Sequence, residues 1–124
     1  MNPFIGCEFD PQTRIFYKYY SGAIYMEDLI ASWEDIIEKG LIPPNTRKFI
    51  LEYSNGFLVA GPEASTEIAA FYQKHHAIFG GSKVALIMQN PDQVIFPILV
   101  NQEQSHVQFK PFYTLEGALE WVNA

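Results

Sequence analysis

The feature that most constrains the fold is a short, unbroken apolar run from Phe49 to Leu51. Such a run, bounded by polar residues, predicts a strand that is buried on both faces, as in the parallel sheets of α/β proteins. We expect this strand to end in a loop at Ser54 to Gly56, because serine, asparagine and glycine favour turns. In a parallel sheet the loop would lie at the carboxyl edge, where open α/β sheets bind ligands and partners.

Similar strand patterns alternate with helical periodicity along the chain. Phe4 to Phe9 and Arg14 to Ser21 predict a hairpin, because Asp10 and Pro11 between them favour a turn. The remaining segments predict alternating helices and strands. A helix from Met26 that Gly40 ends is followed by the central strand, and a second helix runs from Pro62 to Phe79. A strand from Lys83 to Met88, a helix from Asn90, a strand from Val107 to Phe112 and a helix capped by Thr114 complete the chain. The chain is therefore expected to be one α/β domain spanning residues 1–124.

The second strand of the hairpin carries aromatic residues on both faces. Ile15, Tyr17 and Tyr19 share one face, and the alternating residues Phe16, Lys18 and Tyr20 share the other. One interpretation is that helices cover one face while tyrosines lie flat on the other, with wet hydroxyl groups. The alternative is an aromatic platform for a ligand. Gly22 is expected to end the strand.

The segment from Val94 to Val100 permits two structures. Asn90, Pro91 and Gln93 suit a helix start, with Gln93 reciprocating the asparagine cap. Pro97 would then kink the helix, whereas in the alternative structure it would mark an edge strand. The helix is favoured because it preserves the alternation of strands and helices.

Two apolar segments exceed what a single domain buries easily. The first is a loop predicted between Asn55 and Gly61, and the second is the segment just described, whose apolar residues cover more than one helical stripe. Together they form a candidate surface for self-association, most simply as a homodimer, or for an apolar ligand. Its residues are Phe57, Leu58, Val59, Ile95, Phe96, Leu99 and Val100.

The charge and composition exclude some partners. The formal net charge of −6 disfavours nucleic acid and anionic membranes, which bind basic surfaces. No run of 18 apolar residues is present to span a membrane, and the first residues do not resemble a signal peptide. Cys7 is the only cysteine, so no internal disulfide can form and a cytoplasmic location is the simplest expectation.

No enzymatic motif is present. The chain lacks a glycine-rich phosphate loop and a nucleophile elbow. Glu34 and Glu38 lack a nearby histidine, and the adjacent His75 and His76 point in different directions on a helix, so neither pair predicts a metal site. We therefore expect no cofactor, no metal and no enzymatic activity, and we interpret Cys7 as a small core residue.

Several stretches together resemble the STAS/SpoIIAA-like family, and specifically its short stand-alone bacterial members. They include Tyr20 to Ile24, the acidic helix with Leu29 and Trp33, Phe49 to Tyr53, Phe71 to Phe79, Ala85 to Ile87, and Phe112 to Trp121. The resemblance implies a SpoIIAA-like α/β fold: an N-terminal hairpin followed by strand–helix units in a mixed, mostly parallel sheet. It also implies a non-enzymatic role in regulation or protein binding.

The resemblance also directs attention to the end of the central strand. Classical members carry an Asp-Ser or Asp-Thr pair there, whose hydroxyl a kinase partner phosphorylates. This chain has Glu52, Tyr53 and Ser54, so the classical phosphoswitch is not expected. We expect Glu52, Tyr53, Ser54, Asn55 and Gly56 to form a loop that binds an unidentified protein partner, with the Ser54 side chain bonded to its own backbone. The alternative function is binding of a small apolar ligand or lipid.

Overall fold

The computed structural model describes residues 4–124. Within them lie five strands and five helices, in the predicted order except that two helices replace the second predicted one. The strands are β1 (Phe4–Asp10), β2 (Ile15–Tyr25), β3 (Lys48–Val59), β4 (Lys83–Ile87) and β5 (Gln108–Phe112). The helices are α1 (Met26–Glu38), α2 (Ala64–Lys74), α3 (His76–Phe79), α4 (Ile95–Glu103) and α5 (Leu115–Val122), and a single 3-10 turn at Pro91–Gln93 precedes α4.

The strands form one sheet in the order β1-β2-β3-β4-β5. β1 and β2 are antiparallel, and every later neighbouring pair is parallel. The mixed, mostly parallel sheet is therefore confirmed. Helices α1 to α4 pack on one face, which we call the covered face, while α5 packs on the opposite face against β3, β4 and β5.

The core of the covered face is built around Trp33 of α1. Its ring meets Phe79 at 5.1 Å and Phe49 at 6.2 Å, both nearly edge to face. Leu29, Trp33 and Ile36 form the buried stripe of α1. The helical spacing of these three residues is what directs the stripe toward the sheet. Phe49 from the central apolar run is fully buried, as its sequence pattern predicts.

Two strands are longer than the sequence predicts. β2 does not end at Gly22 but continues to Tyr25, with Gly22 at a φ of 78°. β3 likewise passes through Ser54 to Gly56, so the predicted loop at those residues is wrong. The two extensions pair with each other, Ser21 with Asn55 through to Tyr25 with Val59. Each strand supplies the backbone partner that keeps the other extended. The residue types of one strand do not predict such pairing with another.

The second predicted helix is divided. α2 begins at Ala64 rather than at Pro62, and the chain leaves helical geometry at His75, whose φ and ψ are −106° and 33°. The short α3 follows and places Phe79 in the core beside Trp33. The break at His75 therefore changes the direction of the chain, so that Phe79 lies in the core. The helical periodicity of the sequence does not predict this break.

The segment containing Pro97 is helical, so the edge-strand alternative is wrong. α4 begins at Ile95, which places Pro97 in the first turn. The first backbone N–H groups of a helix have no intrahelical acceptor, so proline there removes no hydrogen bond and the predicted kink is unnecessary. Pro97 and Val100 are buried, whereas Ile95 and Ile98 face outward, 47% and 42% exposed.

Candidate functional site

The carboxyl edge of the sheet is shaped by a bulge in β3. Tyr19 of β2 pairs with Glu52, but Ser21, two residues on, pairs with Asn55, three residues on. β3 therefore carries one extra residue here, which is the definition of a β-bulge. Pairing of β3 with β4 also stops at Glu52. From Tyr53 onward, β3 continues with β2 alone as a neighbouring strand.

Two residues fix the geometry of this bulge. The Glu52 Oε1 atom accepts a hydrogen bond from the Ser54 backbone N–H at 2.8 Å. A Cβ atom on Gly56 would lie 2.9 Å from both the carbonyl carbon and the oxygen of Tyr20. Side-chain carbons do not approach backbone atoms so closely, so the close contact of the strands after the bulge requires glycine at position 56.

Beyond the end of β4 the edge of β3 borders an open groove of about 340 Å³, which we call the edge groove. Its lining residues are Tyr53, Ser54, Asn55, Gly56, Phe57, Gln89 and Asn90. Gln89 donates a hydrogen bond to the Tyr113 carbonyl at 2.7 Å, and the Asn90 side chain accepts one from the Asp92 N–H at 2.9 Å. These bonds hold the far wall of the groove in place.

Gln93 closes one end of the exposed strand edge. Its Oε1 accepts from the Leu58 N–H at 2.7 Å, and its Nε2 donates to the Leu58 carbonyl at 3.3 Å. The prediction that Gln93 reciprocates the Asn90 cap is therefore wrong, because Gln93 bonds to β3 instead. Backbone groups of alternate residues face the same side of a strand, so we expect the Gly56 N–H and carbonyl to face the same side as those of Leu58.

An apolar cavity of about 40 Å³ lies inside the covered face, and Tyr53 borders both this cavity and the edge groove. The Tyr53 ring is buried and stacks on Tyr20 with centroids 4.0 Å apart. Burial raises the pKa of the Tyr53 hydroxyl above its ordinary value. Three residues of the candidate surface for self-association or an apolar ligand also line the cavity, namely Leu58, Phe96 and Val100.

The structure separates the predicted site residues into three groups. Ser54 and Asn55 are exposed in the edge groove, while Glu52 pairs with Tyr19 and Tyr53 is buried. Leu58, Phe96 and Val100 meet at the apolar cavity. The remaining apolar candidates, Phe57, Val59, Ile95 and Leu99, do not line that cavity, and Phe57 and Val59 are 45% and 38% exposed.

The sequence does not indicate that Gln89 lines the edge groove or that the Gln93 side chain bonds to β3. A signal was present for the neighbouring Asn90 and Pro91, whose spacing indicates a helical start at the end of β4. In residues 4–124 no group of three or more histidine, cysteine, aspartate or glutamate side chains is arranged to hold a metal ion. No helix in that range combines the length and apolarity needed to cross a membrane.

Comparison with solved structures identifies the architecture. An uncharacterized protein of the DUF3478 family from Shewanella loihica PV-4, described as having a SpoIIAA-like fold, superposes with a TM-score of 0.65. The two chains are 20% identical, and the match covers 98% of this chain and 94% of that one. The fold is SpoIIAA-like.

A second solved structure that superposes on this chain is an anti-sigma factor antagonist from Mycobacterium paratuberculosis. It has a TM-score of 0.57 and 21% identity, covering 98% of this chain and 96% of the other. No family sequence profile matches this chain. No curated protein matches it significantly in sequence. The relationship is therefore one of fold, which agrees with the resemblance inferred from the apolar pattern.

Proposed function

We propose that the protein is a non-enzymatic regulatory module that binds a protein partner at the edge groove. The observation that carries the proposal is the continuation of β3 past the end of β4. It leaves an extended backbone edge without a neighbouring strand on that side, along an open groove that Ser54, Asn55 and Gly56 line. An exposed strand edge of this kind binds a partner's extended segment through backbone hydrogen bonds.

The polarity of the groove supports a protein partner. Ser54 and Asn55 are exposed beside Gly56, and Gln89 and Asn90 lie across from them. Hydroxyl and amide groups both donate and accept hydrogen bonds, so they can match the backbone and side chains of a peptide. The fold comparison with an anti-sigma factor antagonist is consistent with a protein-binding role. A cytoplasmic location remains a prediction from the single cysteine.

Photo-crosslinking in the native host tests this proposal. A photoreactive phenylalanine analogue at Asn55 is expected to yield a discrete protein adduct, because the side chain is exposed in the groove. The same analogue at Glu38, an exposed position at the end of α1, is the matched control. An adduct at Asn55 that is absent at Glu38 supports the proposal. No adduct at Asn55, or the same adduct at both positions, contradicts it.

We do not expect binding to be switched by obligatory phosphorylation of Ser54. Ser54 lies in the bulged part of β3, and the next helix begins only at Ala64. The Ser54 N–H is already bonded to the Glu52 carboxylate, whose charge would repel a phosphate on the neighbouring hydroxyl. Mass spectrometry of protein isolated from its host checks this expectation, and stoichiometric phosphate on Ser54 would show that it is wrong.

A second candidate function is binding of a small apolar ligand, supported by the cavity beneath α4. Its volume of about 40 Å³ is bordered almost entirely by apolar groups. Drug-sized ligands need roughly 300–1,000 Å³, so a lipid would enter only if α4 moved outward. Native mass spectrometry of the purified protein separates the two functions. A co-purified lipid that Leu58→Phe displaces would favour the cavity, whereas a lipid-free protein would favour the groove.

A further inference from the structure

The face of the sheet opposite α1 is only partly covered. α5 packs there on β3, β4 and β5, and Tyr17 borders its apolar cluster. Farther out, β1 and β2 carry a set of residues on this side that we call the tyrosine face. It consists of Phe4, Glu8, Tyr17, Tyr19 and, from the neighbouring β3, Glu52.

The aromatic residues of the tyrosine face are only partly covered. The rings of Tyr17 and Tyr19 are parallel within 6°, with centroids 6.2 Å apart, and both are half-buried. Phe4 lies over Gly6, the register partner of Tyr19, because Gly6 has no side chain to displace the Phe4 ring. Phe4 remains 62% exposed. Part of each ring is therefore accessible to a partner.

Carboxylates surround these rings. Glu8 is the register partner of Tyr17, and its Oε1 accepts a hydrogen bond from the Tyr19 hydroxyl at 2.5 Å. Glu52 is the register partner of Tyr19 in β3. Burial, together with the negative charges of Asp10 and Glu8, raises the pKa of Tyr17, while burial, Glu8 and Glu52 raise that of Tyr19. Both tyrosines therefore remain neutral in a negatively charged environment.

The basic residues of the adjoining strands are directed elsewhere. The Lys48 Nζ donates to Asn123 Oδ1 at 2.9 Å, and Arg14 donates to the Pro44 carbonyl at 2.7 Å. Lys18 is fully buried on the covered face. Among residues 4–124 neither Glu8 nor Glu52 forms an ion pair. The negative charge of the tyrosine face is thus not compensated from within the described chain.

We infer that the tyrosine face is a second interaction surface that binds an arginine-containing, positively charged segment of a partner protein. A guanidinium group stacks on a tyrosine ring and can also donate two parallel hydrogen bonds to a carboxylate. Partly exposed tyrosine rings beside carboxylates that lack an ion pair within residues 4–124 can meet both requirements at once. An ammonium group cannot make the planar stack, so arginine is favoured over lysine. Apart from Glu52, whose carboxylate also accepts from the Ser54 N–H, this surface lies away from the edge groove, and it does not depend on the function proposed there.

NMR tests the inference. The full chain, labelled for NMR, is titrated with a short peptide of alternating glycine and arginine. Amide shifts are expected to concentrate in β1 and β2 around Glu8, Tyr17 and Tyr19. The corresponding glycine–lysine peptide is expected to bind more weakly, because it has the same charge without the planar group. Shifts spread over the whole surface, no binding, or equal affinity for both peptides would overturn the inference.

Paired variants separate a specific site from general attraction to an acidic protein. The double variant Glu8→Gln, Glu52→Gln keeps the oxygens that accept from Tyr19 and Ser54 but removes both charges. The control Glu34→Gln, Glu38→Gln removes the same charge from the exposed face of α1. Arginine-peptide affinity is expected to fall roughly fivefold in the first variant, about the effect of two exposed ion pairs, and to change little in the control. An equal loss in both variants would overturn the inference.

A separate variant tests whether arginine stacks on a tyrosine ring. Tyr19→Leu keeps apolar volume on the sheet but removes the π surface, so the preference for the arginine peptide over the lysine peptide should disappear. Circular dichroism of each variant establishes that it is folded. A folded Tyr19→Leu protein that retains the full preference would show that the ring takes no part in recognition.

Discussion

The Nζ atom of Lys18 lies 3.9 Å from the centroid of the Trp33 ring and is buried without a hydrogen-bond partner within the described chain. Its ammonium group can interact with the π face of Trp33, and less closely with Tyr20 at 5.0 Å. Burial lowers the pKa of the Lys18 amine well below its ordinary value of 10.5. An amine in the middle of an aromatic core therefore weakens the fold at neutral pH.

Replacement of Lys18 by methionine is expected to stabilise the protein by about 1–3 kcal/mol at neutral pH, the typical cost of a buried polar group without a hydrogen bond. Methionine has a similar length and suits an apolar core. Chemical denaturation of both proteins measures the difference. Lys39→Met, at an exposed position at the end of α1, is the control and should change stability little. A destabilised Lys18→Met protein would contradict the prediction.

The same lysine predicts how stability depends on pH. In the unfolded chain Lys18 keeps its ordinary pKa of 10.5, whereas the folded protein holds it at a lower pKa. Between these two pKa values the unfolded state binds more protons, so the free energy of unfolding rises with pH. The wild type should gain stability as the pH rises from neutral toward the ordinary lysine pKa, and Lys18→Met should gain less. Parallel profiles for the two proteins would show that Lys18 does not carry the effect.

The two tryptophans are expected to differ in their contribution to stability. Trp33 is 2% exposed and contacts Phe16, Phe49, Tyr72 and Phe79, so Trp33→Ala should destabilise by roughly 3–5 kcal/mol. Trp121 is half-buried and packs on Phe112, so Trp121→Ala should cost less than Trp33→Ala. The shift of the urea midpoint measures the loss of stability in each variant, provided that the slope of unfolding free energy against urea stays that of the wild type. Equal losses would contradict the assignment of Trp33 as the centre of the core.

Gly56 is expected to tolerate no side chain. Gly56→Ala should destabilise by roughly 1–3 kcal/mol, because the added Cβ would lie 2.9 Å from the backbone of Tyr20 and force the strands apart. Gly61→Ala is the control, since the nearest atom to its Cβ would be a flexible Glu63 oxygen at 3.9 Å. Thermal unfolding of both variants tests this, and a neutral Gly56→Ala would show that the bulge relaxes freely.

Self-association through residues 94–100 remains a prediction, and the structure refines its test. Ile95 and Ile98 face outward, whereas Phe96 lines the cavity, so a charge at position 98 probes the surface without entering the core. We expect a dimer at micromolar concentration that Ile98→Glu dissociates, because burial of a charge in an apolar interface is unfavourable. Light scattering measures the mass. A wild-type monomer would contradict the prediction.

Much of the fold could be predicted from local pattern. The unbroken runs at residues 49–51 and 84–87 indicate strands buried on both faces, and both are buried. The stripe of Leu29, Trp33 and Ile36 is buried as its spacing requires. Gly40, at a φ of 65°, follows α1 as predicted. These features depend on the periodicity of single elements or on one residue's allowed conformations, which the sequence states directly.

The candidate site depended on relations that no single segment contains. Ser54 to Gly56 favour a turn locally, yet the chain stays extended because Asn55 and Gly56 pair with β2. Gln93 has the spacing of a cap, yet Leu58, 35 positions away in sequence, provides better partners for its amide. The edge groove exists because β4 ends before β3 does. In each case a long-range contact outweighs a local preference of the kind worth about 1 kcal/mol.

The sequence by itself determined the order of the elements, the faces of β2 and α1, and the absence of known catalytic motifs, because all of these follow from residue type and period. Only the tertiary structure decided that Lys18 is buried against Trp33, that α5 leaves most of the tyrosine face uncovered, and that β3 presents an open edge. The physical reason is that alternation assigns a residue to a face of a strand, whereas burial depends on which distant elements pack there.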